Sequence, residues 1–68
     1  MQAKFNLTEQ EIKFMKYLAQ GIKIKGAAKE LKVSHQRAYT IASNIRQKLH
    51  AKNMANAVYI ALNNKIID

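Results

Sequence analysis

Ala28-Lys-Glu-Leu-Lys-Val-Ser34 runs directly into His35-Gln-Arg-Ala-Tyr-Thr-Ile-Ala-Ser-Asn-Ile-Arg-Gln-Lys-Leu49. The second segment carries Ala38, Ile41, Ala42, Ile45 and Leu49 at steps of three and four, the spacing of one buried face of a helix. Ser34 stands just before it, where a hydroxyl can accept from the first free backbone N–H groups. The first segment predicts a shorter helix from about Ile24 to Leu31 with Ala27, Ala28 and Leu31 inward; small side chains let two helices cross closely where a Leu would hold them apart. Between them, Lys32-Val33-Ser34 makes a tight turn that sends Val33 into the core. The pattern is helix, turn, helix, with Gln36, Tyr39, Thr40, Ser43, Asn44 and Gln47 on the outward side of the second helix.

Working outward, the chain has no Pro and only Gly21 and Gly26, and helical spacing recurs throughout, so strands have little support. Thr8 can cap an opening helix, Glu11 can return the hydrogen bond, and Leu7 can staple onto Ile12. Such an end stabilises a helix by about 1 kcal/mol. Glu9 and Glu11 lie where the helix dipole favours carboxylates, which accounts for both without any catalytic role. Ile12, Met15, Leu18 and Ala19 are the expected buried stripe, and Gly21 the expected stop. A fourth helix is predicted from the Asn53 cap to about Asn64, with Met54, Ala57, Val58, Ala61 and Leu62 inward and Ile66 and Ile67 closing the base. The fold class is all-α, a four-helix bundle, in one domain over residues 1–68.

Sixty-eight residues make one small core and leave no room for a second, sensory or catalytic domain. Cysteine is absent, so neither disulfides nor thiolate metal sites contribute. No leader pattern follows Met1, and the longest apolar run, from Ala57 to Leu62, is too short to cross a bilayer; a soluble, cytoplasmic protein is expected. Twelve Lys and Arg against four Asp and Glu give a net charge of +8, and between residues 12 and 67 the only acid is Glu30. Such a field attracts phosphate and releases counterions on contact. A Lys-rich solubilising surface explains the charge alone equally well; joined to the helix-turn-helix, the charge points to duplex DNA, with the second helix of the pair in a groove.

Leu7-Thr-Glu-Gln-Glu11, Leu18-Ala-Gln-Gly21, Ala28-Lys-Glu-Leu31, Val33-Ser34, Asn44-Ile45, Lys48-Leu49 and Ala57-Val58, in that order and spacing, resemble the LuxR/GerE-type helix-turn-helix domain. No piece is specific by itself, but the ordered set spans residues 7–67. The resemblance implies a four-helix bundle whose third helix, about residues 34–50, reads the major groove and whose fourth pairs two copies. The initiating Met and immediate start of the domain favour a stand-alone chain. Several positions depart from the family pattern. Gln10 stands where Arg is usual and Gly26 where Glu is usual, so two polar anchors are missing. Arg37-Ala38-Tyr39 and Ile41 replace the usual Thr-Val-Lys and a later His. Lys32 replaces the turn Gly, at a cost of about 1 kcal/mol in the left-handed conformation, offset by a phosphate contact.

The positions with which the family reads bases fall on Tyr39, Thr40 and Ser43; Gln36 joins them because a side-chain amide can both donate to and accept from an adenine edge. Lys25, Lys32, Ser34, Arg37, Asn44, Arg46 and Lys48 are the candidates for backbone phosphates. Arg37 stands out because a cation in a first turn is disfavoured by the dipole unless an anion, or a neighbouring carbonyl or Glu30, meets it. Asn56, Tyr59 and Asn63 share one face of the last helix and are the candidate homodimer contact. For the polar face of the third helix and for that of the fourth, plain solvation is the competing explanation. His35 and His50 lie about 22 Å apart along one helix and cannot share an ion. With no Cys and no acid cluster beside them, no metal site, no cofactor and no enzyme activity is expected.

The sequence therefore predicts a sequence-specific transcription regulator that binds double-stranded DNA as a homodimer. The alternative is a protein-interaction module that binds another regulator or RNA polymerase.

Overall fold

The structure, a computed structural model, describes residues 5–68; residues 1–4, the stretch that bears on a leader, lie outside them. Four helices follow one another: α1 (Glu9–Ala19), α2 (Ile24–Leu31), α3 (His35–Leu49) and α4 (Met54–Asn63), with no strand among the described residues. Three begin on a side-chain cap. The Thr8 hydroxyl accepts from the Glu11 N–H at 3.1 Å while the Thr8 N–H donates to Glu11 Oε1 at 2.9 Å, completing the predicted capping box. Ser34 accepts from the Arg37 N–H at 3.0 Å, and Asn53 from the Asn56 N–H at 2.8 Å. Helix α2 has no side-chain cap; its start is set by extended Lys23.

All four helices end in the same way. The residue after the last turn is left-handed at Gly21 (φ 92°), Lys32 (φ 59°), His50 (φ 55°) and Lys65 (φ 59°). The next N–H reaches back five residues, from Ile22 to Tyr17 at 3.1 Å, Val33 to Ala28 at 3.0 Å, Ala51 to Arg46 at 2.9 Å and Ile66 to Ala61 at 2.8 Å. Each of those residues, Ile22, Val33, Ala51 and Ile66, also packs its apolar side chain against the core, so the turn that closes a helix also fastens it to its neighbours. Lys32 does adopt the left-handed conformation of the Gly it replaces in the family pattern.

Helix α3 is the central element. It packs against α2, α1 and α4, and its five predicted inward residues, Ala38, Ile41, Ala42, Ile45 and Leu49, are all buried. Ala27 and Ala28 are buried beneath it as expected, and Gly26 lies so close to Ile22 that a Cβ there would come within 2.8 Å of the Ile22 methyl Cγ2. Two helix faces differ from expectation. On α1 the buried side is Glu11, Phe14 and Met15; Ile12 and Leu18 are half-buried and Ala19 is exposed, because the stripe is rotated toward Glu11, whose carboxylate finds partners inside. On α4 only Ala57 and Ala61 are buried, Met54 and Val58 are half-buried, and Leu62 is 44% exposed. Ile67 closes the base, buried, with half-buried Ile66 beside it.

Candidate nucleic-acid interface

The packing that buries one side of α3 turns Gln36, Tyr39, Thr40 and Gln47 into solvent, with Ser43 and Asn44 half-buried behind them. Tyr39 is 52% exposed, the one aromatic ring on a face otherwise made of amides and hydroxyls. Side-chain chemistry there is already partly committed. The Thr40 hydroxyl donates its proton to the Gln36 carbonyl at 3.2 Å, so toward an external partner it offers lone pairs and a methyl group. Ser34 is the reverse case: its oxygen accepts from the Arg37 N–H, leaving its own proton available to an acceptor.

Among the cations, Lys25, Lys32, Arg37 and Arg46 are exposed, and none of them meets a carboxylate among the described residues. Arg37 is held by neither Glu30 nor a backbone carbonyl: its Nη2 donates to Gln10 Oε1 on α1 at 3.2 Å. The residue that replaces the usual Arg of the opening motif thus steadies an Arg at the head of α3. Lys48 is placed differently from the other four. Its Nζ lies 2.8 Å from Glu11 Oε1 and donates to the Asn6 carbonyl at 3.2 Å, and its side chain is only 32% exposed. Glu11 Oε1 therefore accepts from both Thr8 N–H and Lys48, and the Lys48 ammonium is engaged by two partners of its own chain. Neither the Gln10–Arg37 contact nor the Glu11–Lys48 pair was foreseen from the sequence; their partners stand 27 and 37 residues apart.

On α4, Tyr59 is 63% exposed and Asn63 is exposed, while half-buried Asn56 accepts from the Lys52 N–H at 3.0 Å as part of the helix start. The whole helix carries no formal charge. His35 and His50 are both exposed, and among the described residues no three His, Asp or Glu gather as a metal site would need. Among the described residues no helix is long and apolar enough to cross a membrane.

A compact helix pair with an acid-free outward face on the second helix, flanked by unpaired cations, defines a helix-turn-helix domain of the DNA-binding kind. The family model GerE, bacterial regulatory proteins of the luxR family, matches residues 5–61, and the chain belongs to that family. It is accordingly a DNA-binding regulator with the all-α GerE-type bundle, a class of domain that binds DNA and is not an enzyme. No curated protein matches the chain.

Proposed function

We propose that the protein is a sequence-specific transcription regulator of the cytoplasm that lays α3 in the major groove of duplex DNA as a homodimer. The observation that carries this reading is the face of α3 itself: outward, uncharged at its centre and free of acid, on a chain of net charge +8. A major groove about 12 Å wide admits one such helix. Gln36, Tyr39, Thr40 and Ser43 meet base edges. Thr40, with its proton given to the backbone, accepts from cytosine N4 or adenine N6, or sets its methyl against that of thymine. Lys25, Lys32, Arg37, Arg46 and the Ser34 hydroxyl hold phosphates on either side, and Asn44 reaches a phosphate from the edge of the face. Lys48 belongs to the fold more than to the DNA surface.

Pairing of two copies uses the uncharged outer side of α4, where Tyr59, Leu62 and Asn63 stand free and Asn56 contributes from its capped position. Neutral side chains there let two strongly basic molecules approach without adding like charge at the contact. Selection of bound duplexes from a random pool, repeated across ionic strengths, tests the whole reading. The expected result is an inverted repeat with half-sites about 10 bp apart, or a multiple of that, and affinity that falls steeply with salt. Recovery of unrelated sequences, or an affinity indifferent to salt, defeats it.

A further inference from the structure

Beside Tyr39 of α3 lies a groove floored by half-buried Leu18 of α1, Ile24 of α2 and Met54 and Val58 of α4. Its rim carries Lys23, Lys25 and Tyr39. The floor is apolar, which does not suit phosphates, and the groove is open to solvent rather than enclosed, which suits the apolar side of a partner's surface element better than a small molecule. Lys23 and Lys25 meet no carboxylate among the described residues, so the rim presents two unanswered positive charges beside the apolar floor. A second copy of this chain answers them poorly, since it brings the same +8 surplus and exposes only Glu9, Glu30 and Asp68 as acids among the described residues.

We propose that this groove takes an acidic amphipathic helix from a partner protein. Its apolar face lies on Leu18, Ile24, Met54 and Val58, and its carboxylates meet Lys23 and Lys25. Because Tyr39 and Lys25 line the groove and are also assigned above to a base edge and a phosphate, the helix and DNA compete for both; this half of the inference rests on the DNA-reading proposal above. The partner is then an antagonist that releases the regulator from its site.

The probes are a synthetic helix with Leu at i, i+4 and i+7 flanked by Glu, and its counterpart with Lys in place of every Glu. Methyl NMR of the full chain, without DNA, should show shifts at Leu18, Ile24, Met54 and Val58 with the acidic helix and none with the basic one. Lys23→Glu should weaken binding about tenfold or more, and Ala19→Trp, which fills the groove from its exposed lining position, should abolish it. In fluorescence anisotropy at low salt, the acidic helix should raise the apparent Kd for a short duplex in step with its own occupancy. Silence at the four methyl groups, or equal binding of both helices, overturns the groove assignment; methyl shifts with undisturbed DNA binding overturn the competition. A chain that fails to bind duplex at all still reports in the methyl spectrum, so failure of the DNA reading is told apart from failure of this one.

Discussion

Replacing Lys48 with Met separates the architecture of the domain from its affinity for DNA. The Met keeps an unbranched stem but removes the ammonium that lies 2.8 Å from Glu11, the one charged residue buried among the described residues, at 5% exposure. Stripping the partner from a fully buried pair costs about 3–5 kcal/mol, whereas an exposed pair is worth about 1 kcal/mol or less. With the Lys side chain 32% exposed and the Glu side chain at 6%, the pair falls between these limits, at about 2 kcal/mol. For a domain of this size each kcal/mol moves Tm by about 4–8 °C, so K48M should melt about 10 °C lower. Glu11→Gln makes a clean second arm because Gln is accepted at that place in a capping box. Thermal melts of the two single variants and the double variant then give the coupling, expected at about 1–2 kcal/mol. Each phosphate contact contributes about 0.9 to the slope of log K against log salt, and K48M should leave that slope unchanged. An unaltered Tm together with a slope shallower by about one unit would refute the placement of Lys48 and return it to the DNA surface.

Four further outcomes follow from the same geometry. Lys65→Gly, Lys32→Gly and His50→Gly each relieve a left-handed residue and should each raise stability by about 1 kcal/mol in urea titrations, the Lys65 variant without touching DNA affinity. Gly26→Ala should lose about 1 kcal/mol despite the better helix propensity of Ala, since its Cβ would press on Ile22 at 2.8 Å; a more stable variant would show that Ile22 moves aside freely. Arg37→Ala should weaken every duplex alike and flatten the salt slope by about 0.9, and Gln10→Ala should weaken binding less, leaving the slope in place because the charge remains. Tyr39→Ala should change the selected sequence while preserving the slope; an unchanged consensus from the variant argues against a base contact at that position.

The features that could be anticipated from the residues alone are those settled within three or four positions. Thr8 with Glu11, Ser34 before His35 and Asn53 before Met54 announce helix starts because donor and acceptor sit in one turn, and the starts of α1, α3 and α4 follow from them. The α1 face departs from its apolar period because the dipole and capping box explain Glu11 without saying which way it faces; with Glu11 inward, Phe14 is buried beside it and Ala19 is exposed. Leu62 shows a different limit. Apolar spacing marks a face that avoids water, but not whether the chain itself covers it. Within the candidate site, the outward row of α3 was apparent from its period. The link from Gln10 to Arg37 depends on where α1 crosses α3, and a groove built from four helices has no local signature at all.

The absence of formal charge on α4 gives the molecule two surfaces that answer differently to their medium. Attraction of the basic face to a polyanion is governed by the ions released into solution, and so by ionic strength. Whatever adheres to α4 is held by contact area and dehydration, to which dilute salt is nearly indifferent. A rise in ionic strength would thus loosen the grip on nucleic acid while leaving any assembly through this helix intact.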